Sequence, residues 1–194
     1  MHKKIKSTLI PRLLSNRVLS VVAAIGIAVF VIVVLLLHLA QLDYDPLTQF
    51  ISELALGRFG GFLVVAFIGL AIAVAATGTN LRIRGSPLFL SLLLGSAALC
   101  FLAAGFITLV TSTQAHVLLV ALAFVLCGVS MYALPRTVTV FSGCGDYLAS
   151  WGCCLLMCGA TGLGDSVVLV GVAQRLSAIA LLFWLSFVTW RLAR

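Results

Sequence analysis

Six runs of apolar residues alternate with short polar segments along this chain of 194 residues. An apolar helix needs about 20 residues to cross the hydrocarbon core of a bilayer, and the six runs approach or reach that length. Because backbone groups cannot stay unpaired in lipid, each run is predicted to be α-helical. The pattern therefore predicts an all-α polytopic membrane fold, a bundle of six transmembrane helices in one domain over residues 1–194. The predicted helices are Val18–Leu39, Phe62–Thr77, Leu88–Val110, Val117–Leu134, Tyr147–Gly162 and Val172–Trp190.

The first run is predicted to be a retained helix rather than a cleaved signal peptide. It is longer than the apolar region of an ordinary signal peptide, and the residues at its far end, 38–41, make a poor cleavage site. Residues 1–17, which precede it, form a predicted basic cytoplasmic tail. The third and fourth runs are joined only by residues 111–115, which predicts an antiparallel hairpin.

Composition and charge agree with a membrane protein. Hydrophobic residues make up 63% of the chain and its mean hydropathy is +1.26, which excludes an ordinary soluble domain. The net charge of +7 does not indicate nucleic-acid binding, since the basic residues flank the apolar runs and no nucleic-acid-reading motif accompanies them.

The distribution of the basic residues predicts the orientation. Ten of the twelve fall on one side of the predicted bundle, and by the positive-inside rule that side is the cytoplasm. The chain is thus predicted to be a multi-pass protein of the cell membrane, of the prokaryotic inner-membrane kind, with both termini cytoplasmic. The ten residues are Lys3, Lys4, Lys6, Arg12, Arg17, Arg82, Arg84, Arg136, Arg191 and Arg194.

The six cysteines are interpreted as packing residues. Five of them lie in or beside apolar runs, and Cys153, Cys154 and Cys158 share one predicted helix. Small, polarizable packing side chains explain this distribution, and a metal or redox role is the minor alternative. A disulfide framework does not suit cysteines inside membrane helices. No metal and no cofactor is predicted.

Polar and charged residues gather at the predicted outer ends of the helices. Arg175 is the most informative of them, because apolar residues flank it and an arginine at a helix centre costs roughly 2.5–3.5 kcal/mol to insert. We expect it to face the bundle interior with Glu53 as its partner; the alternative is a side chain that reaches the lipid headgroups. The other members are His38, Asp43, Tyr44, Asp45, Ser52, Arg58, His116, Asp165 and Gln174.

The segment 44–60, between the first two runs, is predicted to lie at the outer interface. Asp45 suits the N-cap of a helix and Pro46 suits its first turn. Apolar residues then recur at helical spacing over residues 47–56. This pattern predicts a short amphipathic helix lying on the outer leaflet or dipping into it.

Three stretches resemble a known family. They are DPLTQFISELALGRFGG at residues 45–61, the histidine that opens the fourth helix (His116), and GVAQRLSAIALLFWLSFVTWRLA at residues 171–193. They resemble the six-helix membrane proteins of domain-of-unknown-function family 998 over nearly the whole chain. The most specific elements are Ser-Glu-(aromatic or Leu)-Ala-Leu-Gly, where Leu54 replaces a common aromatic residue, and Gly-x-x-Gln-Arg. The resemblance implies an integral membrane fold and no particular reaction.

Several functions fit these residues. A structural or accessory role, or ligand binding, comes first, and small residues in segments 95–105 and 151–162 allow close contacts within the chain, with a second copy or with another membrane protein. One alternative is a membrane-embedded enzyme acting on a lipid or lipid-linked substrate, with Glu53 or His116 as general acid or base and Arg175 holding an anionic headgroup. Another is a component of a small-molecule transporter. The expected partners are membrane lipids and a lipid or small anionic ligand at the outer face, with no nucleic acid. The predicted ligand-binding residues are Ser52, Glu53, Arg58, His116, Gln174 and Arg175.

Overall fold

The computed structural model describes residues 2–164 and 169–194, with side chains from Asn16 onward. Within those ranges six long helices, labelled α1 to α6, are joined by turns and three short 3-10 helices. Each long helix corresponds to one of the apolar runs. The long helices are α1 (His2–Ala40), α2 (Leu63–Ile83), α3 (Leu88–Phe106), α4 (Leu109–Thr137), α5 (Cys144–Leu163) and α6 (Val170–Ala193). The 3-10 helices are Ile51–Leu56, Gly60–Phe62 and Thr139–Phe141.

Consecutive helices pack in chain order, and α6 returns to pack against α1 and α2. At one end of the bundle, Asn80 near the end of α2 donates a hydrogen bond from Nδ2 to Ser20 Oγ of α1 (3.0 Å). At the same end, the Arg84 guanidinium donates to the Leu192 carbonyl oxygen of α6 (2.8 Å). We call this end the basic end, and the opposite end, which holds residues 41–56, the site end.

In the described part of the chain, five helices are long and apolar enough to cross a membrane: α1 from Asn16 onward, α2 with the turn before it, α3, α4 and α6. Helix α5 is not among them, because its glycines together with Ser150 and Asp146 lower the hydropathy of its 20 residues. These polar side chains are buried: Ser150 Oγ accepts a hydrogen bond from Trp184 Nε1 (3.1 Å), and Asp146 pairs with Arg191 (2.9 Å). Of the six helices predicted to span a membrane, five are therefore confirmed as long and apolar enough to do so.

Helices α1 and α2 approach closely where Gly26 faces Gly69. A Cβ atom at Gly26 would overlap the Gly69 carbonyl oxygen, and one at Gly69 would lie 2.9 Å from the Gly26 carbonyl oxygen. Both obstacles are helix backbone, so only glycine fits at this crossing. The small-residue segments singled out in the sequence contribute less. Gly105 packs on Phe67, whereas a Cβ at Gly95, Gly152, Gly159 or Gly162 would meet nothing within 4 Å.

A break at Ser112 separates the first turn of α4 from the rest of that helix. Its φ of −163° and ψ of 103° are those of extended chain. Ser112 Oγ accepts a hydrogen bond from the Ala115 N–H (3.4 Å), as an N-cap does, so the continuous part of α4 starts here. The predicted α3–α4 hairpin is confirmed, and His116 lies in the first turn after the break.

Helices α4 and α5 are in contact toward the basic end and separate toward the site end. The rings of Tyr132 and Trp151 stack with centroids 5.8 Å apart, and Trp151 Nε1 donates to the Tyr132 carbonyl oxygen (3.2 Å). One turn further along, Cys154 Sγ lies 3.5 Å from the Gly128 carbonyl oxygen. Beyond this contact a cavity opens between the two helices.

Candidate functional site

The chain that follows α1 folds back across the site end over residues 41–56. Asp45 accepts hydrogen bonds from the Thr48 hydroxyl (2.6 Å) and the Leu47 N–H (2.9 Å), and these bonds hold the pKa of its carboxyl below the ordinary value. The result is a turn, followed by the 3-10 helix Ile51–Leu56. The predicted short amphipathic helix over this segment is not confirmed, because Asp45 caps a turn and the helix after it is a 3-10 helix in which Ile51, Ser52 and Leu54 are buried.

Glu53 caps this short helix instead of pairing with Arg175. Its Oε1 accepts a hydrogen bond from the Phe50 N–H (2.8 Å), and its Oε2 lies 3.4 Å from Gln49 Nε2. The predicted ion pair between Glu53 and Arg175 is therefore wrong; among the described side chains, Asp146–Arg191 is the one ion pair formed. The reason is local, since a carboxylate near the start of a helix can reach back to the unpaired N–H groups of its own first turn.

Arg175 donates hydrogen bonds to four neutral acceptors. Its Nη1 reaches the carbonyl oxygens of Gln49 (3.0 Å) and Gly171 (2.8 Å). Its Nη2 reaches His38 Nε2 (2.9 Å) and the Tyr44 hydroxyl (2.5 Å). One side chain thus joins α1, the chain that follows α1, and α6. We call Arg175 and these four partners the clamp.

The clamp fixes the tautomer of His38. Its Nδ1 lies 2.7 Å from the Val34 carbonyl oxygen, which can only accept, so Nδ1 carries the hydrogen. Nε2 is then the nitrogen with the lone pair, and it accepts from Arg175. The ring of Tyr44 packs edge-on against that of His38, with centroids 5.0 Å apart, which supports the ring in this orientation.

Tyr44 should make the clamp sensitive to alkaline pH. Burial raises the pKa of its hydroxyl above 10.0, and the hydrogen bond from Arg175 offsets only part of the effect. Because the folded-state pKa of Tyr44 is raised, its hydroxyl contributes fully to the free energy of unfolding below about pH 10. This contribution is lost as pH rises through the folded-state pKa. We expect Tyr44→Phe to abolish this loss of stability at alkaline pH. At neutral pH it should lower the free energy of unfolding by about 1–2 kcal/mol, since the hydrogen bond from the Tyr44 hydroxyl to the Phe50 carbonyl oxygen disappears.

Thermal unfolding in mild detergent between about pH 8 and pH 11 measures this effect. Tyr132→Phe is the matched control, because a phenylalanine there keeps the ring that stacks on Trp151. An equal alkaline loss of stability in Tyr44→Phe and in the wild type would contradict the assignment.

A cavity of about 270 Å³ lies at the site end between α4, α5 and α6, against the 3-10 helix Ile51–Leu56. Its described walls are mainly apolar, with Val120 and Phe124 of α4 prominent among them. Val117 and Ala121, which also line it, lie on the outer surface of the bundle. The cavity is therefore open at the side of the bundle. Its polar lining residues are Ser52, His116, Thr161, Gln174 and Ser177.

His116 is buried beside this cavity, with 3% of its surface exposed. Its Nδ1 lies 3.0 Å from the Ala104 carbonyl oxygen and 2.8 Å from that of Ile107, so Nδ1 carries the hydrogen and caps the end of α3. Its Nε2 is buried too, and no group in the described part of the chain bonds to it. Leaving such an acceptor unsatisfied costs roughly 1–3 kcal/mol. The capping role accounts for Nδ1, and Nε2 is left as a buried acceptor without a described partner.

Two more polar groups of the cavity have unused hydrogen-bonding capacity. Gln174 Oε1 accepts from the Ile51 N–H (2.5 Å), which leaves its Nε2 donors without a partner among the described residues. The Ser52 hydroxyl also has no described partner, although Ser52 is only 5% exposed. Thr161 and Ser177 differ, because their hydroxyls bond to each other (2.9 Å) and to helix carbonyls.

The structure separates the six predicted ligand-binding residues. The cavity holds Ser52, His116 and Gln174, the clamp holds Arg175, and a shallow groove outside the clamp holds Glu53 and Arg58. In that groove Arg58 lies over the Phe59 ring, 5.4 Å from its centroid. Asp165, also predicted at this end, lies outside the described residues. Sequence reasoning missed Thr161 and Ser177, because a single hydroxyl within an apolar helix carries no distinguishing pattern.

The comparisons with known proteins give a family and no activity. No curated protein and no solved structure matches the chain. A family model described as "Protein of unknown function (DUF998)" matches residues 24–191, a range that runs from α1 to the last turn of α6 and includes the cavity and the clamp. The chain therefore belongs to the DUF998 family.

Proposed function

We propose that this protein is a six-span membrane protein that binds a small amphiphilic molecule in the cavity beside His116. The observation that carries the proposal is the buried Nε2 of His116, which has no partner among the described residues, at a cavity whose described walls are mainly apolar. Binding sites for small molecules combine apolar walls with a few converging polar groups in this way. Of the functions considered from the sequence, ligand binding fits this arrangement best.

The connections between helices support a sixth span. Helix α4 ends at the basic end and α6 begins at the site end, so α5 has to run the length of the bundle between them. Leu148 and Leu155 of α5 are 76% and 73% exposed, as suits contact with lipid, whereas its polar residues Asp146 and Ser150 are buried. By the positive-inside rule the basic end faces the cytoplasm, and the cavity then belongs to the outer leaflet.

The position of the opening favours a ligand that arrives from the bilayer. Val117, on the rim of the cavity, is 50% exposed on the outside of α4, where lipid would surround it. The volume of about 270 Å³ is near the lower limit of 300–1,000 Å³ typical of small-molecule pockets. We therefore expect the cavity to hold a head group and the first part of a chain, with the remainder in the membrane.

The clamp serves this site indirectly. Two of the five N–H groups of the Arg175 guanidinium bond to backbone carbonyls and two bond to neutral side chains, so its hydrogen-bonding capacity is largely used inside the protein. By holding the Gln49 carbonyl it fixes the backbone just before Ser52. We assign the structural role to the clamp and the binding role to the cavity.

A variant that fills the cavity opening tests the proposal. Ala121→Phe places a ring at the opening, and we expect it to lose a bound molecule that native mass spectrometry detects on the wild type in lipid nanodiscs. Val125→Phe is the matched control, because it adds a ring one turn away on the same exposed face of α4, outside the cavity. An adduct that persists in Ala121→Phe, or a wild type that never carries one, would refute binding in this cavity.

A further inference from the structure

We infer that the cavity binds an uncharged lipid whose head group carries a hydroxyl beside an ester carbonyl, as in mono- and diacylglycerols. This inference rests on the proposed binding function and names the class of ligand. Two observations support it: some polar groups around the cavity have no described hydrogen-bond partner, and the arginine side chains at this end of the bundle bond or pack elsewhere in the protein.

The first requirement is a hydroxyl on the ligand. Both partners of His116 Nδ1 are carbonyl oxygens, so the hydrogen of the neutral ring is on Nδ1 and Nε2 is an acceptor. The buried Nε2 has no partner in the described part of the chain. A ligand hydroxyl can donate to it once a small shift of the cavity wall uncovers the atom, whereas an ether or an alkyl chain cannot donate at all.

The second requirement is an acceptor next to that hydroxyl. The Nε2 group of Gln174 is a donor whose partner is missing among the described residues, because its own Oε1 is held by the Ile51 N–H. The Ser52 hydroxyl, which lines the same cavity, can also donate. One acceptor and two donors on residues that line the same cavity complement a head group that has a hydroxyl and a carbonyl oxygen.

The third requirement is the absence of a formal charge. No charged residue is among the described residues that line the cavity. Arg175, which follows the lining residue Gln174 in the chain, gives its Nη hydrogens to protein acceptors, and Arg58 lies in the outer groove. Burying a carboxylate or phosphate in an apolar site without a cation is strongly unfavourable. The anionic ligand expected from the sequence is therefore replaced by a neutral one.

Photocrosslinking with matched probes tests this class. The probes share one alkyl chain with a diazirine and differ only in the head: a glycerol monoester, a carboxylate or a phosphate monoester. In nanodiscs of uncharged lipid we expect the glycerol monoester to label the wild type at least tenfold more than either anion. We also expect Ala121→Phe to abolish this labelling and Val125→Phe to preserve it.

His116→Asn tests the roles of the two ring nitrogens separately. The asparagine amide can stand in for Nδ1 and keep capping α3, but it has nothing at the position of Nε2. We expect labelling by the glycerol monoester to fall about tenfold, the equivalent of one good hydrogen bond, with little change in melting temperature. Ser52→Ala is a second variant that should fold normally, because its hydroxyl has no described bond, and it should lower labelling several-fold.

The outcomes separate the two proposals. Two results would overturn the inferred class and leave the binding function intact: stronger labelling by an anionic probe, or equal labelling by all three probes. In either case the labelling has to be abolished by Ala121→Phe. Unchanged labelling in both His116→Asn and Ser52→Ala would also overturn it. If no probe gives labelling that depends on Ala121, the proposed binding function itself fails.

Discussion

Replacing Arg175 with alanine is expected to lower the free energy of unfolding by about 3–5 kcal/mol, because several acceptors lose their donor and each buried one costs roughly 1–3 kcal/mol. The affected groups belong to α1, the chain after it and α6, so their attachment at the site end should weaken together. Arg175→Lys should rescue little of the loss. A single ammonium cannot supply the fixed fork of donors that reaches four separate acceptors. Unfolding in detergent, followed by circular dichroism, measures the effect.

Arg58→Ala is the matched control for this prediction. Arg58 is also a basic residue at the site end, but it is exposed and contacts the Phe59 ring without a described hydrogen bond. Its removal should change stability by less than about 0.5 kcal/mol. If Arg175→Ala unfolds like the wild type yet loses a bound anion, then Arg175 is a ligand residue and its assignment to the clamp is wrong.

Gly171→Ala is expected to destabilise the protein by about 3 kcal/mol, although alanine is the better helix former. A Cβ at this position would lie 2.6 Å from the Pro46 carbonyl oxygen, 2.7 Å from that of Gln49 and 2.7 Å from the Leu47 carbonyl carbon. All three are backbone atoms of the turn that rests on the first turn of α6. Moving that turn away would also lengthen the hydrogen bond from Arg175 to the Gln49 carbonyl.

The same substitution at Gly159 should have the opposite sign. A Cβ at Gly159 in α5 would meet nothing within 4 Å. Alanine there should stabilise the helix by roughly 0.5–1 kcal/mol, the ordinary difference in helix propensity. Comparing the two variants in the same unfolding assay therefore distinguishes the effect of helix propensity on stability from the effect of packing. Equal stabilisation of both would mean that the turn at residues 46–49 does not rest on α6.

The helices could be predicted from the sequence because a helix that spans a membrane needs a long, nearly unbroken apolar run. Counting the crossings then places Ser52, His116 and Gln174 at one end of the bundle, although more than a hundred residues separate the first from the last. The segment with the weakest apolar signal, α5, is also the one whose polar residues are buried against α6. Its amphipathic character follows from a neighbour that a hydropathy pattern does not identify.

The partners of the site residues were harder to predict, for a physical reason. Two of the acceptors that hold Arg175 are backbone carbonyls, a group that every residue has. Charge complementarity therefore pointed to Glu53, whose carboxylate is occupied by an N–H group of its own short helix. The cavity depends on where α4 and α5 separate. The close contact between α1 and α2 depends on Gly26 and Gly69, which no spacing motif connects.

The one-sided contact between α4 and α5 has a mechanical consequence. Trp151 and Tyr132 attach the two helices toward the basic end, and the cavity occupies the space where they diverge. On the proposed entry from the side, a bound molecule displaces neighbouring lipid, and spreading the helices further does work against the lateral pressure of that leaflet. We then expect the free energy of filling the cavity to contain a contribution from the surrounding membrane, set by how tightly its lipids are packed.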